Sequence, residues 1–235
     1  MQDRLVDRAL QLEARSRSSI GPALVRAYRL RTLRPVIRRL LTSVEGGLCF
    51  SESLRDIFRE FYEVDLGRYS YCTGPSGALL IAPGTKIGNY SVLGANRVFR
   101  RNHPFERASQ HPLFYNPTLG LLDEETVASY RENPLRVGHD VHVGEHSWIL
   151  PGCSEIGDGA VVEVGSVVLH DVPPYTIVAG NPAKVVRKRF SDEVEDEIRR
   201  SEWFLHPLSE LIDEFEVLAN PANQQTIGRL LSSRA

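Results

Sequence analysis

The sequence predicts a mainly β protein: a parallel β-helix with α-helical segments at both ends. Three observations predict it. Aliphatic residues recur every six positions through the middle of the chain, that phase breaks once over a long stretch, and helical spacing of apolar residues appears only outside the repeat. From residue 137 the chain reads VGHDVH, VGEHSW, ILPGCSE, IGDGAV, VEVGSV and VLHDVP, led by Val137, Val143, Ile149, Ile156, Val162 and Val168. Leu66, Ile81, Ile87, Leu93 and Phe99 stand in the same register upstream. A period of six fits neither the 3.6-residue period of a helix nor the alternation of an ordinary strand. It fits short strands that each turn one aliphatic inward before a corner, three to a coil, with coils stacked by backbone hydrogen bonds. A β-sandwich with valine-rich strands would need hairpins and alternating faces, and the regular phase tells against it.

Residues 1–63 read as a helical, basic region. Its start, MQDRLVDRAL, has no apolar run, so neither a signal peptide nor a spanning helix is expected and the cytoplasm is the expected location. Between Ala14 and Val44 stand eight arginines and no acid, so the net charge of −2 conceals a strongly basic stretch. VRAYRLRTLRPVIRRLL mixes these arginines with Leu, Val and Ile. That mixture admits peripheral contact with an anionic membrane, attraction of a phosphorylated or lipid-linked acceptor, or a solvated helical face packed on the protein. No nucleic-acid-reading motif accompanies the charge. In SESLRDIFREFYEV, Leu54, Ile57, Phe58 and Phe61 form a core-facing stripe behind a serine cap, a helix suited to plug the open end of a coil stack.

Residues 64–190 carry the hexads. Glycines after the aliphatic, as in VGHD and IGDG, are expected to give the corners backbone freedom. ILPGCSE has one residue too many, so a bulge is expected near Cys153–Glu155. YCTGPSGALL is a short break, and residues 100–136 form an excursion with no helical period; long excursions from a rigid scaffold commonly carry function. Residues 191–235 read as C-terminal helices: SDEVEDEIRRSEWFLHPLSELIDEFEVL as two, acidic at its start, and a short last one near Pro221.

The three cysteines, Cys49, Cys72 and Cys153, have neither metal-ligand nor paired-disulfide spacing, which suits a reducing compartment. Cys153 at a small-residue corner reads as core, and a buried cysteine is inert. His139, His142 and His146 cluster in sequence, but their positions in the hexads point from different corners. A zinc site of the kind shared across subunits in carbonic-anhydrase-type β-helices is therefore a secondary reading, and no metal is expected. Within the excursion, His111, Phe114 and Tyr115 read either as loop packing or as a binding surface, since aromatic rings pack well against sugar faces. Lys184, Arg187 and Lys188, in NPAKVVRKR, gather cations where the repeat ends.

The hexads, the NH pair of Asn102 and His103 in the excursion, and DVPPYTIVAGNPAKVVRKRF together resemble the hexapeptide-repeat acyltransferases. The likeness covers roughly residues 50–205 and is greatest to the xenobiotic and surface-polysaccharide O-acetyltransferase branch. It implies a left-handed β-helix, a homotrimer, and acetyl-CoA as co-substrate in a groove between adjacent subunits. It further implies His103 as general base with Asn102 beside it, and coenzyme contacts at Gly144, Ala160, Ser166 and Ala179. His142 stands where DVWIG of such proteins has tryptophan, and Lys184, Arg187 and Lys188 become ligands for the coenzyme's phosphates. Glu106, Asp123, Glu124 and Glu125 are the acids available to orient His103. The expected reaction is O-acetylation of a sugar hydroxyl in a surface polysaccharide or its precursor. Acetylation of an antibiotic hydroxyl is the alternative, and a non-catalytic β-helix interaction module the reading outside enzymes.

Overall fold

The computed structural model describes residues 2–72, 81–99, 104, 106–126 and 134–222. Its centre is a three-sided parallel β-helix of two-residue strands. The strands are β1 (Asp65–Leu66), β2 (Tyr71–Cys72), β3 (Lys86–Ile87), β4 (Val92–Leu93), β5 (Arg97–Val98), β6 (Arg136–Val137), β7 (His142–Val143), β8 (Trp148–Ile149), β9 (Glu155–Ile156), β10 (Val161–Val162) and β11 (Val167–Val168). β12 (Thr176–Gly180) and β13 (Ala183–Lys188) end the stack as an antiparallel hairpin. Each strand pairs with its counterpart in the next coil, giving sheets ordered β1-β3-β6-β9, β13-β12-β10-β7-β4-β2 and β11-β8-β5. In each two-residue strand the second residue points inward, and Leu66, Cys72, Ile87, Leu93, Val98, Val137, Val143, Ile149, Ile156, Val162 and Val168 form one core.

Two predicted registers shift. The inward residue of β5 is Val98, whereas Phe99 is 38% exposed, because the corner before β5 is one residue shorter than the corner above it. Asn96 fills the gap: its buried side chain donates to the Val143 carbonyl and accepts from the Ser147 amide, replacing backbone that is missing. The extra residue of ILPGCSE is absorbed in a turn at Pro151–Gly152, slightly earlier than expected. The Cys153 amide closes this turn on the Leu150 carbonyl, and Cys153 itself is wholly buried.

The corner glycines have a reason other than freedom of φ. Gly67, Gly88, Gly138 and Gly157 follow the inward aliphatic, and none has positive φ. A Cβ on Gly88 would lie 2.6 Å from the Gly138 carbonyl carbon and oxygen, and one on Gly138 2.6 Å from the Asp158 amide nitrogen. Coil backbones approach so closely here that no side chain fits between them. The left-handed residues come two places later, at Tyr69, Tyr90, Asp140 and Gly159. Gly88→Ala is therefore expected to destabilise the protein by about 1–3 kcal/mol, the range for an overpacked core, read as a lower denaturant midpoint.

The N-terminal helices are α1 (Gln2–Ala14), α2 (Gly21–Ala27), α3 (Arg34–Val44) and α4 (Glu52–Tyr62). In α4 the Ser51 side chain accepts from the Leu54 amide at its start, while Leu54, Ile57 and Phe58 are buried. Phe58 joins the β-helix core, so α4 does close its first coil. A carboxylate organises this region. Glu45 is 0% exposed and accepts from the Ser18 amide and hydroxyl, the Ser53 amide and hydroxyl, and the Ser51 hydroxyl, all at 2.6–3.1 Å.

At the far end α5 (Asp192–Ser201) is capped by Ser191 and carries Asp192, Glu193 and Glu195 in its first turn. The expected second helix is instead two 3-10 turns, Trp203–Leu205 and Leu208–Leu211, followed by α6 (Phe215–Ala219). Pro207 stands between the two turns, lacks an amide hydrogen and is extended at φ −68, ψ 154. The short last helix expected after Pro221 falls almost wholly outside the described residues.

This segment runs back along one edge of the β-helix. The Phe204 ring stacks on His139 at 4.5 Å, and the Asn89 side chain donates to the Phe204 carbonyl. The Arg68 guanidinium and Tyr90 hydroxyl donate to the Leu205 and His206 carbonyls. The Leu208 amide donates to the Tyr69 hydroxyl, which itself donates to Glu13 of α1. Arg68, Asn89 and His139 hold the same place in successive coils, directly after the corner glycine, so one strap clasps three coils and the first helix.

Candidate active site

The excursion leaves the β-helix after β5 and returns at β6, so its base lies at the junction of the third and first sheets. Beside its departure point Phe99 and Trp148 stack at 5.3 Å, and the Arg97 guanidinium lies 5.7 Å from the Trp148 ring centre. Trp148 is 43% exposed, an aromatic surface turned outward from the third sheet. Trp148 ends the hexad VGEHSW, and its pairing with Phe99 is hidden in the sequence by the one-residue shift. Asn102 and His103, four residues or fewer beyond Phe99, lie outside the described residues.

The described part of the excursion closes on itself. Arg107 donates to the carbonyls of Phe114 and Thr126 and to the Thr126 hydroxyl, and the Thr126 amide donates to the Tyr115 carbonyl. His111 is exposed and its Nδ1 accepts from the Leu113 amide, capping a 3-10 turn. Phe114 is 54% exposed and open to a ligand. Tyr115, expected beside it, is buried at 7% exposure. Glu106, Asp123 and Glu124 are exposed and Glu125 half-buried.

The positions carried over for the coenzyme divide. His142 is exposed on the outer face of the second sheet, between Val92 and Val161 of the neighbouring coils. Gly144 is buried, and a Cβ there would lie 2.5 Å from the Val164 amide nitrogen, so it is needed for coil stacking. Ala160 and Ser166 are 0% exposed, so only their backbone could face a coenzyme. Their main chains also serve the coils: the Ala160 carbonyl accepts from His142 and the Ser166 carbonyl from Trp148, while the Ser166 hydroxyl accepts from the Gly180 amide. Ala179 is half-buried in β12, paired with Lys184 of β13.

The basic run is not uniform. Lys188 sits 2.5 Å from Asp192 and 3.5 Å from Glu195, and this pairing raises its pKa and ties the hairpin to α5. The acids that neutralise it lie downstream of the motif, in the first turn of a helix. Arg189, which sequence reasoning passed over, bonds Asp140 at 3.1 Å and the Gly159 carbonyl at 2.6 Å, locking the hairpin to two coil corners. Burial pushes the Asp140 carboxyl above its ordinary value although Arg189 opposes it. Lys184 and Arg187 are exposed and have no acidic partner among the described residues. They are the cations left to meet an anion.

The histidine cluster separates. His139 accepts the Asn89 amide at Nδ1 and stacks under Phe204, whereas His142 is on an outer strand face and His146 on an exposed corner with φ of 60°. No three His, Cys, Asp or Glu side chains converge as metal ligands among the described residues. Cys72 and Cys153 are core residues, and burial pushes the Cys72 thiol up to about 12, far from a nucleophile's range.

Hexad coils, an excursion from one sheet junction and a basic terminal hairpin define a β-helical protein built of six-residue repeats. The chain is 33% identical to a chloramphenicol acetyltransferase of Morganella morganii over 63% of its own length and 78% of that protein's. It is 31% identical to one of Escherichia coli (67% and 82%) and 39% identical to a probable macrolide acetyltransferase of Lysinibacillus sphaericus (57% and 74%). The chain belongs to the acetyltransferase family of these relatives and is an acyltransferase. No protein-family model matches it. A solved hexapeptide-repeat acetyltransferase of Vibrio cholerae, complexed with acetyl-CoA, is similar at 20% identity and a TM-score of 0.40, covering 79% of this chain and 87% of that one; the likeness is too loose to add to what the relatives show.

Proposed function

We propose that the protein transfers an acetyl group from acetyl-CoA to a hydroxyl of a small-molecule acceptor, with an antibiotic-type acceptor favoured over a surface-polysaccharide sugar. The observation that carries this preference is the kinship over more than three quarters of a chloramphenicol acetyltransferase's length. In this reading His103 takes the hydroxyl proton as the oxygen attacks the thioester carbonyl. The new C–O bond forms, the C–S bond breaks, and the proton passes to the departing coenzyme A thiolate. Histidine suits the step because its pKa lies near working pH, and Asn102 is its neighbour in the motif. Lys184 and Arg187 would meet the coenzyme's phosphates. The reading includes a left-handed coil, a homotrimer whose adjacent subunits enclose the coenzyme, and action in the cytoplasm.

The test is an acceptor panel assayed by release of the coenzyme A thiol, holding chloramphenicol, a macrolide, and glycan monomers and oligomers. Transfer to a drug hydroxyl is expected. Transfer to glycans and to no antibiotic would overturn the acceptor while keeping the reaction. Failure to bind coenzyme A at all would overturn the reaction.

A further inference from the structure

The arginine-rich N-terminal helices leave an apolar face uncovered. In α3, Ile37 and Leu41 are buried. Val36 and Leu40, each one position earlier and so about 100° round the helix, are 64% and 39% exposed. The apolar arc of α3 is therefore wider than the part the protein covers. Leu33 (42% exposed) and Leu30 (58%) extend it into the preceding turn. A single exposed leucine needs no explanation, but four large apolar side chains side by side do.

Charge says what would cover them. Arg26, Arg29, Arg31 and Arg39 are exposed and make no ion pair among the described residues. Arg34 is different: its Nε donates to the Tyr28 carbonyl and its guanidinium lies over the Tyr28 and Phe61 rings, so it holds the fold. No acid stands anywhere between Ala14 and Val44 to temper this charge. A second copy of the same face would set arginine against arginine. An anionic lipid surface suits both components, with leucines entering the acyl boundary and arginines reaching headgroup phosphates. No described helix is long and apolar enough to cross a membrane.

We propose that the face formed by Leu30, Leu33, Val36, Leu40 and the surrounding arginines docks the protein peripherally on an anionic bilayer. The inference stands independently of the acyl-transfer reading. It is tested by co-sedimenting the full-length protein with vesicles of pure phosphatidylcholine or of phosphatidylcholine with one third phosphatidylglycerol, at low and high salt. Binding to the anionic vesicles alone, weakened by salt, is expected. Replacing Arg29, Arg31 and Arg39 by Gln should lower partitioning about five-fold per arginine, roughly a hundredfold together. V36D/L40D should abolish binding while circular dichroism stays that of the wild type, because both side chains are already exposed. Binding unchanged by V36D/L40D, equal binding to neutral vesicles, or no binding would each overturn the proposal. If V36D/L40D instead shifted the sedimentation mass of a protein that ignores vesicles, the face would be a contact between copies.

Discussion

Replacing His103 with alanine is expected to lower the rate of acetyl transfer by about 10²–10⁴-fold, the usual loss when a general base is removed. The hydroxyl acceptor would then have to surrender its proton to water while attacking, and water is a far weaker base than imidazole. Binding of acetyl-CoA should change little, because the proposed phosphate contacts are made by other residues, Lys184 and Arg187. The loss should therefore appear in kcat rather than in KM for acetyl-CoA, with the circular dichroism spectrum retained. Transfer at the wild-type rate would remove His103 from the base role and return attention to His111 and the acids Glu106, Asp123, Glu124 and Glu125.

The second large effect is on stability. Glu45→Ala is expected to cost about 3–4 kcal/mol, since it strips a buried carboxylate from three hydroxyls and two amides that have no water to turn to. One of those hydroxyls, Ser51, also caps α4, so the loss extends to the helix that closes the first coil. The effect has a pH signature. Burial alone would raise the Glu45 pKa, but the Ser51, Ser18 and Ser53 bonds outweigh it and hold the carboxyl below its ordinary value. A depressed folded-state pKa contributes stability that is fully present above the ordinary glutamate range, near 4.3, and is lost as pH falls through the folded value. The gap in denaturation midpoint between wild type and Glu45→Ala should thus be constant from pH 6 to pH 8 and shrink below about pH 4. A gap independent of pH would mean that packing, not the carboxylate, holds these helices.

The inner wall of the β-helix was legible because its cause is periodic. Val137, Val143, Ile149, Ile156, Val162 and Val168 each face inward for the same reason, and a six-residue spacing records it. The register failed where a side chain took over a backbone role: Asn96 shortens a corner, and that moved the inward place from Phe99 to Val98. Corner glycines were visible, but their purpose was not, since the need for close approach arises only when coils stack. Site residues were readable as motifs and less so as environments. Lys188 looks like its neighbours in NPAKVVRKR until Asp192 and Glu195 fold back against it, and Tyr115 looks like Phe114 until the loop buries one and exposes the other. Glu45 and its three serines share no spacing, so nothing in the sequence joined them.

The strap along the coil corners sets an order of events during synthesis. Hexad coils need only the coil before them, so they can assemble as the chain emerges, one layer after another. The strap's bonds join residues 115 to 196 positions apart, from Asn89–Phe204 to Glu13–Ser209. Contacts of such separation wait until nearly the whole chain exists. Residues 204–209 thus fasten coils made long before them, and a chain halted before residue 203 would hold its coils without their fastening.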